Sequence, residues 1–161
     1  MQKLFSCILL IASFQLMAQE GRNVSEYNLN EQGVGLFHHI NGKVYDPVSF
    51  FPEGGSTPLI GKKEFALMYD QVEYFFANAK NMKTFLTDPL KYEPTYGGWC
   101  ARAMVVGSKI DIKPEYFTVD GRRIFFFVNS RAKRFFDRDI KGNAAQADAH
   151  WKRISGESPR L

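Results

Sequence analysis

The chain has 161 residues, of which 45% are hydrophobic and 24% charged, and its net charge is +4. This length and balance suit one globular domain whose core needs neither a metal nor a disulfide to fold. The charge is too mild for a strongly basic or acidic protein class. No zinc-finger spacing, phosphate loop or RNA-recognition motif accompanies the basic residues 131–138, so we expect a solvated helix face there and no nucleic-acid partner.

The first 18 residues predict a secretory signal peptide. A short start with Lys3 and an apolar run over residues 4–17 precede the small Ala18, after which the chain turns polar. The run is too short to span a membrane stably, and no other run of spanning length follows. We expect cleavage near Ala18 and a periplasmic or secreted protein without a transmembrane segment.

Cleavage would leave one cysteine, because Cys7 lies inside the signal peptide and Cys100 does not. An exported protein with a single cysteine cannot close an internal disulfide, so packing must stabilise it. The Cys100 thiol is then either buried and inert, or available to a ligand or a partner.

The mature chain divides into three predicted regions. Residues 19–33 are polar without sustained periodicity, which predicts a tether. The composition changes at residue 34, and we expect the globular domain to span residues 34–154. Its last helix is predicted to begin after Asn143 as N-cap residue, and residues 155–161 are predicted to be a disordered tail.

Two β-hairpins, each followed by a helix, are the clearest predicted elements. They cover residues 65–76 and 117–128, with Asn78 capping the first helix and Asn129 or Ser130 the second. The order of hairpin and helix occurs twice in outline, without a convincing internal repeat. The predicted fold class is α+β, a compact single domain of short antiparallel hairpins packed against several short helices.

A rigid elbow is predicted over residues 92–101, where a proline and a glycine pair precede Trp99 and Cys100. The run that follows Cys100 is compatible with a helix. Backbone amides at a helix start favour a thiolate, so this cysteine is a candidate for special chemistry.

Several short motifs occur in a fixed order between about Gly42 and Trp151. They are residues 45–51, 74–78, 85, 88–89, 92, 96–101 (Tyr-Gly-Gly-Trp-Cys-Ala), 119–121, 129 and 147–151. In order and spacing they resemble the exported bacterial branch of the YHS domain family. The resemblance implies a treble-clef-like α+β core, with a hairpin packed against a helix, over most of the mature chain.

Metal-binding members of that wider family carry cysteines at three positions that hold Ser49, Ala77 and Asn81 here. A thiolate zinc site needs deprotonated sulfur ligands, so the family's zinc site does not carry over to this chain. The resemblance assigns no role to Cys100.

Cys100 is the centre of the predicted ligand site. Tyr45, Tyr96 and Trp99 are aromatic residues with polar tips, which often line pockets, and Asp46 completes the candidate set. The alternative is that the aromatic residues are hydrogen-bonded members of the core and that Asp46 fixes a turn.

Cys100 and Met104 are the candidate metal ligands. Four residues apart, they share a face of a helix, and their two sulfur atoms would suit a soft ion such as Cu(I). The alternative is that both pack in the core.

Two functional hypotheses follow. The first is a non-enzymatic exported binding module with its site near Cys100, for a small ligand, a soft metal ion such as copper, or an exported partner protein. The alternative is a thiol-dependent enzyme or redox protein that uses Cys100 as nucleophile, although no residue is predicted to orient a histidine towards it.

Overall fold

Five α-helices and three antiparallel two-stranded sheets form the part of the chain that a computed structural model describes, residues 22–160. The predicted signal peptide, residues 19–21 and Leu161 lie outside the described residues. In chain order the elements are β1 (Phe37–His38), β2 (Lys43–Val44), β3 (Lys62–Tyr69), β4 (Val72–Phe76), α1 (Ala79–Thr87), α2 (Pro89–Tyr92), α3 (Ala101–Met104), β5 (Lys113–Asp120), β6 (Arg123–Phe127), α4 (Ser130–Asp137) and α5 (Ile140–Ser155). The predicted α+β class, with short hairpins packed against short helices, is confirmed.

The β3–β4 and β5–β6 hairpins share one register. Lys62 pairs with Phe76 and Lys113 with Phe127, and in both hairpins the register shifts immediately after that pair. Each position of the second hairpin lies 51 residues after its equivalent, as the steps from 62 to 113 and from 76 to 127 show. A helix begins at the same place after each hairpin, Ala79 in one and Ser130 in the other.

The shared register exposes an internal repeat that the sequence indicates only in outline. Residues 62–88 align with residues 113–139 without a gap, and seven pairs are identical. These pairs are Lys62 and Lys113, Glu64 and Glu115, Phe75 and Phe126, Phe76 and Phe127, Asn78 and Asn129, Phe85 and Phe136, and Asp88 and Asp139.

The equivalence extends to the short helix before each hairpin. A 3-10 helix, Pro47–Phe50, follows Asp46, and α3 follows Cys100. The Asp46 amide donates to the Leu59 carbonyl oxygen at 2.9 Å, and the Cys100 amide donates to the Ile110 carbonyl oxygen at the same distance. Since Ile110 lies 51 residues after Leu59, Asp46 and Cys100 hold equivalent places. We call residues 46–88 the first unit and residues 100–139 the second unit.

Asparagine caps fix where the helices of both units begin. The Asn78 side chain accepts a hydrogen bond from the Asn81 amide, and the Asn129 side chain accepts one from the Ala132 amide, as predicted. The prediction for α5 is wrong, because Asp139 caps it and Asn143 lies inside it. The Asn143 side chain instead donates to a backbone carbonyl oxygen of α4, which a local pattern cannot reveal.

Aromatic side chains join the two units into one core. The Phe50 ring of the first unit lies edge-on to Phe117 and Phe126 of the second, with ring centres 5.1 and 4.9 Å apart. Phe85 and Phe136 are equivalent by the repeat, and both are fully buried. Such edge-to-face contacts stabilise a core beyond the area that they bury.

The prediction of a tether over residues 19–33 is wrong for the part that the structure describes. The Arg22 side chain is buried and forms an ion pair with the buried carboxylate of Glu93. Glu93 also accepts hydrogen bonds from Tyr74 at 2.8 Å and from Arg160 at 3.0 Å. A polar sequence therefore does not make this segment a tether, because Arg22 is paired inside the protein and Tyr27 and Asn28 are buried.

The predicted disordered tail is likewise wrong for residues 155–160. Ser155 and Glu157 are buried, and the Tyr27 hydroxyl donates to the Glu157 carboxylate at 2.6 Å. Arg160 completes this cluster beside Glu93, so the two ends of the described chain are held to the core and to each other.

Among residues 22–160, no helix has the length and apolar character needed to cross a membrane.

Candidate functional site

A groove of about 460 Å³ opens between α3 and α4 of the second unit. We call it the Cys100 groove, because Cys100, at 1% exposure, is the most deeply buried residue that lines it. The other lining residues are Arg102, Ala103, Val106, Ile110, Val128, Asn129, Arg131, Ala132 and Phe135.

The elbow before α3 positions Cys100 at the floor of this groove. Gly97 and Gly98 have φ angles of 58° and 92°, which side chains rarely adopt. A Cβ atom on Gly97 would also lie 2.8 Å from the Trp151 ring. The Cys100 amide donates a hydrogen bond to the Ile110 carbonyl oxygen, and α3 begins at the next residue. The predicted elbow, which places Cys100 at a helix start, is confirmed.

Apolar side chains form the walls of the groove. Val106, Ile110 and Phe135 are 62%, 45% and 44% exposed, although each is a large hydrophobic residue. Ala103 and Ala132 contribute only methyl groups between them. Apolar side chains that surround one concavity are typical of a ligand site, whereas single exposed ones are ordinary.

Two arginines, Arg102 of α3 and Arg131 of α4, line the groove. The Arg102 guanidinium carbon lies 4.0 Å from the centre of the Phe135 ring, which links α3 to α4. Arg131, Arg134 and Arg138 line an adjoining cavity of about 420 Å³, which shares Arg131 and Phe135 with the groove. None of these four guanidinium groups has a hydrogen bond or an ion pair with any residue from 22 to 160.

The equivalent place in the first unit is closed by hydrogen bonds. The buried Asp46 carboxylate accepts from the backbone amides of Val48 at 2.8 Å and Ala77 at 2.9 Å, and from the Asn81 side chain at 2.6 Å. In the second unit Cys100 replaces Asp46, and Ala132 replaces Asn81. The second unit therefore lacks both the carboxylate and the amide that fill this junction in the first, which is why a groove opens there.

Of the five residues predicted to bind a ligand, only the cysteine lines the groove. The Tyr45 hydroxyl bonds an asparagine side chain four residues earlier. The Tyr96 hydroxyl donates to Asp148 at 2.8 Å, and the Trp99 ring nitrogen donates to the Glu26 carbonyl oxygen at 2.6 Å. These aromatic residues are therefore hydrogen-bonded side chains in or beside the core, which is the alternative that the sequence left open. Asp46 lies at the closed junction of the first unit, where its carboxylate accepts three hydrogen bonds.

The two candidate metal ligands lie in different environments, because Cys100 lines the groove and Met104 does not. Met104 ends α3 and is fully buried in the core, and it is not among the residues that line the groove. Within residues 22–160 no group of three or more histidine, cysteine, aspartate or glutamate residues is placed to hold a metal ion. Binding of a soft ion by Cys100 and Met104 stays a prediction from the sequence.

Sequence reasoning missed the apolar walls and the arginines of the groove. It assigned residues 131–138 to a solvated basic face and did not single out Val106 or Ile110. The available signal was the 51-residue repeat, because aligning the two units shows alanine at position 132 where the first unit has Asn81.

Comparisons with protein-family profiles, with curated proteins and with solved structures find nothing that matches this chain.

Proposed function

We propose that this chain is an exported, non-enzymatic binding module that holds a small ligand in the Cys100 groove. The observation that carries the proposal is the contrast between the units, in which one junction is closed by a carboxylate and an amide while the other is an open apolar groove of about 460 Å³. That volume falls in the range of small-molecule sites, about 300–1,000 Å³.

Membership of the YHS domain family, with its treble-clef-like core, is part of this proposal. Its support is the order of motifs in the sequence together with a hairpin that packs against a helix in each unit. Ser49 and Asn81, at two of the family's metal-ligand positions, make hydrogen bonds around Asp46 instead. We expect thermal unfolding to be the same with and without a strong chelator, and a large loss of stability on chelation would contradict this.

Export is the second part of the proposal, and its support is the pattern of residues 1–18. Arg22, the first described residue, is bound to the folded body, so a cut near Ala18 would leave only a few residues before the domain. The intact mass of the exported protein should lack about 18 residues. A full-length or lipidated species in the membrane fraction would refute export in this form.

Binding is favoured over thiol catalysis by the composition of the groove. A nucleophilic cysteine needs a base within hydrogen-bond reach, and no histidine is among the residues that line the groove. Its lining consists of apolar side chains, one asparagine and two arginines beside the thiol.

The test closes the groove by copying the first unit. Ala132→Asn introduces the side chain that the first unit carries at the equivalent place, and Ala149→Asn on the exposed face of α5 is the matched control. Native mass spectrometry of protein isolated from the exporting cell should show a bound small molecule in the wild type and the control, and none in Ala132→Asn. A wild type without any bound molecule, or a ligand that Ala132→Asn retains, would overturn the proposal.

A further inference from the structure

The Cys100 groove is lined by two arginines and by apolar side chains, and together these two kinds of lining define a class of ligand. We propose that the groove takes a small amphipathic anion, with an apolar body on Val106, Ile110 and Phe135 and an anionic head at Arg102 and Arg131. This inference rests on the proposed function and specifies the ligand of that same site.

The apolar body is required by the exposed walls. Val106, Ile110 and Phe135 remain between 44% and 62% exposed around one concavity. Covering apolar surface removes it from water at a gain of about 25 cal/mol per Å². A slender alkyl or aryl group would reach past these side chains towards the thiol, whose soft, weakly polar surface suits an apolar neighbour.

The anionic head is required by the charges. Arg102 and Arg131 line the groove, which has no acidic lining residue, and Arg134 and Arg138 add positive charge next to it. All four guanidinium groups lack hydrogen-bond and ion-pair partners within the described chain. Guanidinium groups bind carboxylates and other oxyanions through paired, charge-assisted hydrogen bonds.

The size of the site favours a small molecule over a protein segment. The Cys100 groove is concave, and its floor is a residue at 1% exposure. Stable protein–protein interfaces bury about 800 Å² per partner over a broad surface, whereas this site converges on one buried thiol. Arg102 and Arg131 line the same groove, so the ligand needs only one charged end.

The experiment compares three probes with the same chain length, octanoate, octanol and octyltrimethylammonium, by calorimetric titration of the full mature chain. We expect octanoate to bind at least about tenfold more tightly than octanol, and the cation not to bind, because a charge-assisted hydrogen bond of about 1.5–3 kcal/mol corresponds to a tenfold or larger change. Octanoate should also slow alkylation of Cys100 by iodoacetamide, which locates it in the groove.

Arginine variants test the head group. Arg102→Gln and Arg131→Gln should each weaken octanoate binding about tenfold while octanol binding is unchanged. Lys80→Gln is the matched control, because Lys80 holds the place of Arg131 in the first unit and is exposed. It should bind octanoate as the wild type does. Equal losses in Lys80→Gln and Arg131→Gln would overturn the assignment of the head group.

The remaining outcomes separate this inference from the proposed function. Equal binding of octanol and octanoate, both lost in Ala132→Asn, would overturn the anionic class and leave the groove as the ligand site. Octanoate binding that Ala132→Asn retains, or binding to phosphatidylglycerol vesicles without any to octanoate, would overturn this inference by placing the anion site elsewhere. The proposed function is tested separately, by native mass spectrometry of the wild type for a bound small molecule, and the octanoate titrations do not decide it.

Discussion

The first and second units have the same hairpin register, the same asparagine cap and the same buried phenylalanine, but they differ at one junction. In the first unit the Asp46 carboxylate accepts a hydrogen bond from the Asn81 side chain at 2.6 Å. These two groups fill the space between the Pro47–Phe50 helix and α1. In the second unit Cys100 and Ala132 stand at these places, and a groove opens between α3 and α4. The closed and the open junction therefore differ in these two residue types.

The two junctions should also differ in how strongly they constrain the residues around them. A buried carboxylate with three donors holds its junction in a single arrangement, since each of those donors would lose its partner if the carboxylate were removed. A thiol and a methyl group impose no such requirement. The second unit is instead covered by α5, whose Ala147 and Trp151 are buried. We expect the open junction to tolerate substitution and the closed one not to.

The largest expected effect tests what the units share. Phe85→Ala and Phe136→Ala remove equivalent, fully buried rings, and each should lower the free energy of unfolding by about 3–5 kcal/mol. Urea unfolding of the two variants measures this. A cost several times larger in one unit than in the other would break the structural equivalence.

The second prediction tests where the units differ. Asp46→Ala should cost about 3 kcal/mol because it leaves two backbone amides and the Asn81 side chain without their acceptor. Cys100→Ala should cost only about 1 kcal/mol, since it removes one sulfur atom from the floor of a groove. Equal losses of unfolding free energy for the pair would show that the Cys100 junction is as tightly constrained as the closed one.

The third prediction uses a hydroxyl that only the first unit carries. Tyr74 donates to Glu93, and its equivalent by the repeat is Phe125. Tyr74→Phe should cost about 1.5 kcal/mol at pH 8, the value of a hydrogen bond to a charged group.

The same variant should change the response to alkali. Burial, followed by the negative charge of Glu93, raises the pKa of Tyr74 well above its usual value of 10.0. Above pH 10 the unfolded chain therefore releases the phenolic proton while the folded protein keeps it, so wild-type stability falls as pH rises. Tyr74→Phe should lose less stability than the wild type between pH 8 and 10.5 in urea unfolding. A parallel decline in both proteins would assign the alkaline loss to other groups.

The smallest effect concerns the caps. Asn78→Ala and Asn129→Ala each remove one side-chain acceptor from a helix start, at an expected cost of about 1 kcal/mol. Hydrogen exchange should be faster in the first turn of α1 or α4 alone. Exchange that accelerates across both units would mean that the caps are coupled through the core.

The sequence by itself predicts the elements of this protein well. Turn-forming pairs separate the strands, short runs of apolar residues define the hairpins, and Asn78 and Asn129 begin the helices where they were expected. Each of these signals acts between residues that are close in the chain, so a short window contains all of its cause. The elbow before Cys100 is predicted for the same reason.

Only the tertiary structure decides which polar residues are buried and where a groove opens. Arg22 and Glu93 are 71 residues apart, and Asp46 and Asn81 are 35 apart, so neither pair differs in the sequence from solvated polar residues. The Cys100 groove likewise lies between α3 and α4, which the stacking of Arg102 on Phe135 links across more than thirty residues of sequence. A side chain's environment is set by the residues that folding brings next to it. A local sequence pattern identifies the side chain but not these distant neighbours.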